Sequence, residues 1–118
     1  MTKEGGVSWK KRPMPLTLSH NCMFRKPAID ALDSAGVKWV DIVQSMNDET
    51  SLVYTAADLG VRAEMLCTSM RGISEIDHAE ELPVLPEYCV AMYFSPSLSK
   101  DIAEEFRVIA KRVFSESQ

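Results

Sequence analysis

An α/β layered fold, a mostly parallel sheet flanked by helices, is the architecture this sequence predicts. Three observations carry it. Strand-like and helix-like stretches alternate as β-α-β-α-β, followed by an irregular crossover and a last β-α pair. Residues 16–36, LTLSHNCMFRKPAIDALDSAG, read as a buried strand, a polar turn and an amphipathic helix closed by glycine, with a new strand following at once. Such a unit is a right-handed parallel crossover. Finally, YCVAMYF at 88–94 is a continuous apolar run, the pattern of a strand covered on both faces.

Each element has its own justification. Residues 1–13 are polar, with Val7 and Trp9 as isolated apolar positions, and predict a tail or a short edge strand. Pro13 and Pro15 bracket Met14 and delay the central strand to Leu16, with Leu16 and Leu18 as its apolar positions. Phe24, Ala28, Ala31 and Ala35 recur at i, i+4, i+7 and i+11, and Ile29 and Leu32 widen the stripe. Pro27 lacks an amide hydrogen and fits only the first turn, so the helix is expected to start near Phe24. Asn21-Cys22-Met23 is then a loop at the strand end. Gly36 stands where a helix exit needs positive φ.

KWVDIVQ, 38–44, is rich in β-branched residues and predicts the second strand. Ser45 or Asn47 caps the helix after it, and Asp48 and Glu49 suit its positive end. Leu52, Val53, Ala56, Ala57 and Leu59 are expected to face inward, and Gly60 to end the helix. RAEMLCT, 62–68, alternates Ala63, Met65 and Cys67 against Arg62 and Glu64, a half-exposed third strand. Residues 70–86 are irregular and acidic, and their two prolines at Leu82-Pro83-Val84-Leu85-Pro86 exclude a helix there. The last helix, Ser99 to Glu116, places Ile102, Phe106, Ile109 and Val113 on one face. Its acids Asp101, Glu104 and Glu105 come first and its bases Lys111 and Arg112 last, which complements the helix dipole.

Composition narrows the function. A chain of 118 residues, 46% hydrophobic and 25% charged, is one ordinary globular domain by length and content. No stretch approaches the ~20 apolar residues of a membrane span, and the first residues lack the apolar core of a signal peptide, so a cytoplasmic location is expected. With a net charge of −4 and only Lys10-Lys11-Arg12 as a basic run, the chain itself is a poor candidate for gripping DNA. Cys22, Cys67 and Cys89 form no Cys-x-x-Cys pair and read as reduced thiols. Asp48, Glu49 and Asp77 lack the spacing of a metal loop, and no metal or cofactor is expected. His20 and Cys22 carry catalytic chemistry in other settings, but side chains two residues apart rarely meet and no third orienting group is evident. The expected protein is therefore not an enzyme. Ligands of open α/β sheets bind at the carboxyl ends of strands, which selects the turns Ser19-His20-Asn21-Cys22 and Ser45-Met46-Asn47.

A set of short motifs points further. They are Pro15, Leu16 and Leu18 in a Pro-Leu strand, Cys22-x-x-Arg25, and Ala31-Leu32-Asp33-x-Ala35-Gly36. Ala57-Asp58-Leu59-Gly60-Val61 and Leu82-Pro83-Val84-Leu85-Pro86 follow, and then the aromatic-rich run. In this order and spacing, residues 14–94 resemble the second half of the effector-binding domain of LysR-type transcriptional regulators, whose corresponding elements are Ala-Gly-Leu-Gly-Val and Leu-Pro-x-Leu-Pro. Asp58 departs from the glycine common there, and Cys67-Thr68 replaces the proline usual after the third strand. The winged helix-turn-helix and most of the first effector subdomain have no counterpart in these residues. The resemblance implies one subdomain of a type 2 periplasmic-binding-protein-like effector domain, organised as 1–13, 14–94 and a helical segment, 95–118, that returns to the first subdomain or to a dimer partner. It implies ligand sensing without catalysis. A small, often anionic effector would meet Ser19, His20, Asn21, Cys22, Ser45, Met46 and Asn47, and DNA would be reached only through a segment outside this chain. The apolar face Ile102, Phe106, Ile109 and Val113 predicts a homodimer, because an exposed stripe of that size normally marks an interface. The alternative reading is a stand-alone dimerisation or protein-interaction module without an effector.

Overall fold

A computed structural model describes residues 1–66, 71–78 and 80–116. The described residues form a small α/β fold in which the elements run β1 (Thr2–Lys3), a 3-10 turn (Ser8–Lys10), β2 (Met14–Leu16), α1 (Arg25–Ser34), β3 (Trp39–Asp41), α2 (Asp48–Ala56), β4 (Ile73–Ser74) and α3 (Lys100–Glu116). By contact the chain divides into two compact units, Met1–Met65 with Ser69–Pro86, and Leu66–Thr68 with Glu87–Gln118.

In the first unit β2 is central. It pairs in parallel with β3, Met14 opposite Trp39 and Leu16 opposite Asp41. On its other side Leu16 bridges Val61, also in parallel. Val61 N–H donates to the Pro15 carbonyl at 2.9 Å and Thr17 N–H to the Val61 carbonyl at 2.8 Å. The central strand thus begins at Met14, not Leu16, with a proline inside it. Pro15 turns towards Val61, the first residue paired on that flank, so the amide it lacks would have had no strand partner. The second sheet is antiparallel: β1 pairs with β4, Thr2 opposite Ser74. The parallel pattern therefore holds at the centre and not throughout. Of the expected third strand, only Val61 just before it joins the ladder; Arg62–Met65 do not, and Cys67-Thr68 lie outside the described residues.

Residues 1–13 take the edge-strand form and contribute to the interior. Trp9 is buried with Met14, Leu16, Leu32 and Val61, and Ile76 and Leu82 pack against the group. A second cluster joins Leu18, Ala28 and Ala63, with Cys22 and Phe24 beside it. Burying one large apolar side chain contributes about 1.5–3 kcal/mol, so these few residues supply most of what holds this small unit.

Helix α1 starts where Pro27 requires, one residue after Phe24, and buries Ala28 and Leu32. Its end is a Schellman motif. Gly36 has φ +70°, its N–H bonds to the Asp33 carbonyl, and Val37 N–H bonds to the Leu32 carbonyl. Helix α2 is capped by Asn47, whose side chain accepts from the amides of Glu49 and Thr50. Its orientation reverses the expectation. Ser51 and Thr55 are fully buried, while Val53, Ala56, Ala57 and Leu59 are exposed and Leu52 is only half-buried. The reason lies in β2. Alternate side chains of a strand point to opposite faces. Leu16 and Leu18 pack with α1, which leaves Thr17 and Ser19 facing α2, and hydroxyls there call for hydroxyls opposite. Gly60 closes the return from α2: a Cβ there would sit 2.7 Å from the Pro15 carbonyl oxygen and 2.8 Å from Thr17 Cγ2.

In the second unit, Tyr88–Phe94 is not a covered strand. Residues 88–93 are exposed and Phe94 half-buried, with no ladder hydrogen bonds among the described residues. A continuous apolar run specifies burial only if the chain supplies both covering layers, and the second unit offers a single helix. Helix α3 forms as expected, one residue shorter at its start.

Candidate functional site

The loops after β2 and β3 lie side by side at the carboxyl ends of two parallel strands. His20 N–H donates to the Ser45 carbonyl at 2.9 Å, which ties one loop to the other. Parallel pairing of β2 with β3 makes this inevitable, since both strands point the same way and both turns leave from the same rim.

The sequence-selected residues then separate. His20 and Asn21 are exposed, Cys22 half-buried. Met46 is 62% exposed and Asn47 is exposed as well, although its carboxamide oxygen is committed to capping α2. Ser45 Oγ accepts from Asn47 N–H at 2.9 Å and shapes the turn. Ser19 is different: it is 1% exposed, and its hydroxyl reaches Asp48 Oδ1 at 3.4 Å. It positions the loop and presents nothing to solvent.

Charged residues outside the selected turns complete the rim. Asp41, the last residue of β3, takes both Nη atoms of Arg25 and lies 3.7 Å from His20 Nε2. The hydrogen bond with Asp41 holds the Arg25 guanidinium above its ordinary range, and Arg25 also donates to the Leu18 carbonyl. On the α2 side Arg62 is buried. Its Nη2 bonds Asp48 at 2.9 Å and Glu64 at 2.8 Å, and its Nη1 reaches Ser51 Oγ at 3.4 Å. The expected half-exposed position of Arg62 is thus corrected. A buried guanidinium is stable only when paired, and two carboxylates and a hydroxyl supply the pairing. The available signal was charge: Arg62 alternates with Glu64 along the chain, and Asp48 opens the preceding helix.

The two arginines are therefore already neutralised, and the N-terminus of α1 is the open positive feature of the rim. It has no side-chain cap and no acid in its first turn, and it begins Arg25-Lys26. Beneath the rim, a half-open cavity of about 80 Å³ is lined by Leu16, Leu18, Ala28, Ala63, Arg62 and Leu85 among others. Arg62 Nε is buried without a hydrogen-bond partner. Organic ligands occupy roughly 300–1,000 Å³, so this space suits water and an effector would have to rest on the rim itself. Among the described residues, no group of three or more His, Cys, Asp or Glu side chains is placed to hold a metal ion. No described helix is long and apolar enough to cross a membrane.

Comparison with known proteins adds no relative: no family model, curated sequence or solved structure matches the chain.

Proposed function

We propose that this chain is the regulatory, ligand-sensing part of a LysR-type transcriptional regulator, cytoplasmic and non-catalytic. It would take a small organic acid on the rim formed by His20–Cys22 and Ser45–Asn47, with the buried Ser19 holding the first turn in place. The observation that supports the reading is the His20–Ser45 bond, which brings two strand-to-helix turns to one edge of one parallel sheet. A carboxylate suits the start of α1, where the helix dipole and the exposed Lys26 favour an anion. With a half-open cavity of only about 80 Å³, the chain supplies one wall, and a second subdomain closing over the rim would supply the other. Closure then transmits the signal, because an effector that favours the closed arrangement shifts its population. DNA contact belongs to a segment outside these residues.

A panel of small organic acids in a thermal-unfolding screen tests this. An acid that binds raises the midpoint with concentration, by about 2.7 kcal/mol of stabilisation at 100-fold excess over its Kd. The shift should weaken when Asn21 is replaced by Ala, since Asn21 is exposed and carries no structural bond among the described residues. If no acid shifts the midpoint, the reading falls. The alternative, an interaction module without an effector, then gains, and the half-exposed apolar face of α3 is the observation in its favour.

A further inference from the structure

We propose that two copies of this chain associate through an antiparallel pairing of α3 with α3, in a register set by Glu105 and Arg112. The inference is independent of ligand sensing. Ile102, Phe106, Ile109 and Val113 recur at spacings of four, three and four, the a/d seam of a short coiled coil. These residues are 45%, 56%, 49% and 51% exposed, large apolar surface for one helix of 17 residues. In an antiparallel two-fold pair, a residues meet d residues. Phe106 then lies opposite Ile109 of the second copy, and Ile102 opposite Val113.

That register has a consequence at the edges of the seam. Glu105 and Arg112 both occupy g positions, and antiparallel geometry sets g against g. Each Glu105 therefore faces Arg112 of the second copy, twice per dimer. The e positions are Ala103 and Ala110, which meet with no charge and little bulk. Off the seam, Glu104 pairs with Arg107 within the chain, and the Arg107 guanidinium lies 5.9 Å from the Phe94 ring centroid. Among the described residues neither Glu105 nor Arg112 has an ionic partner. A parallel pair would instead align the acidic starts of both helices, their basic ends and their dipoles, all unfavourably. The pattern is self-complementary in one direction only, which identifies the second copy as the occupant.

The test is a charge swap in the full chain, read by sedimentation equilibrium from micromolar to millimolar concentration. Glu105→Lys and Arg112→Glu should each weaken the dimer about tenfold, since two attractive pairs become repulsive. Combining both changes in one chain should restore the wild-type constant. Mixing the two single variants should give a heterodimer tighter than either homodimer. Unchanged helix content by circular dichroism checks that the variants fold. A wild-type chain that stays monomeric throughout, or a dimer whose constant ignores these substitutions, overturns the proposal.

Discussion

Helices α1 and α2 pack on opposite faces of the same strand and solve the problem with opposite chemistry. Helix α1 buries Ala28 and Leu32, carries no side-chain cap and leaves through Gly36. Helix α2 buries Ser51 and Thr55, is capped by Asn47 and leaves through Asp58, a non-glycine at φ +56°. On the first face, water is excluded by apolar area. On the second, hydroxyls satisfy one another: Thr17 Oγ1 lies 2.6 Å from Thr55 Oγ1, with the Val61 carbonyl within reach of Thr17 and the Ser51 carbonyl within reach of Thr55, so one hydroxyl donates to the other, which donates in turn to its carbonyl. The lesson is that the inner face of a helix is decided by what the strand presents to it. Apolar content alone misassigns α2, whose Val53 faces solvent and whose Leu52 is only half-buried.

The contrast can be broken where it is strongest. Leu32→Ala should cost about 3 kcal/mol in urea unfolding, the transfer loss plus a cavity between α1 and β2. A loss below 1 kcal/mol would mean that α1 does not seal the apolar face. Thr55→Val, nearly isosteric, should cost about 1 kcal/mol, because Thr17 loses a hydroxyl partner that no water replaces. If the valine variant is more stable than wild type, the hydroxyl face is not optimised as described.

The helix exits give a pH-dependent prediction. Asp58 is subject to burial, which works against its charged form. The amides of Val7 and Ser8, the Ser8 hydroxyl and Lys3 outweigh that and hold the carboxyl below its ordinary 3.8. The unfolded chain then binds the proton first as pH falls. The stabilisation is complete above 3.8 and drains away as pH drops through the folded value. Asp58→Asn should flatten this part of the acid-unfolding curve and leave the curve above pH 5 parallel to wild type. An unaltered acid limb would show that the carboxylate does not anchor the arm. The smallest effect belongs to Val53→Ser. At 65% exposure the change should stay within about 0.5 kcal/mol, whereas an inward valine would cost several times more.

How much of this was legible in the sequence follows from the same comparison. The start of α1 was readable because proline and glycine act on the backbone locally, and the 3.6-residue periodicity marked Ala28 and Leu32, which are buried, but also Ala35, which is exposed at the helix end. The two turns on one rim were readable because a strand-helix-strand unit lays its strands parallel, so both turns leave from the same end. The inward face of α2 was also written in the chain, as Leu16-Thr17-Leu18-Ser19 against Ser51 and Thr55, but only for a reader who matched the faces before weighing hydrophobicity. Arg62 illustrates a different limit. The charges of Glu64 and Asp48 hinted at a pairing, but alternation along one strand could not place Asp48, fourteen positions away, beside it. Tyr88–Phe94 shows the limit of composition: of seven consecutive residues suited to a covered strand, six are exposed and Phe94 is half-buried. Trp9 was passed over because an isolated aromatic in a polar stretch has no periodic neighbours to mark it.

The first residues have a temporal consequence. Thr2 and Lys3 zip to Ile73 and Ser74, the Met1 amine reaches the Arg62 carbonyl, and Trp9 lodges in the cluster that Leu82 packs against. A growing polypeptide leaves the ribosome in sequence order, so these docking points emerge some sixty to seventy residues after the segments that need them. Until then Trp9 and the β1 edge wait bare, exposed to chaperones and to neighbouring nascent chains. Closure comes late and over a long chain separation, and contacts of that kind slow folding.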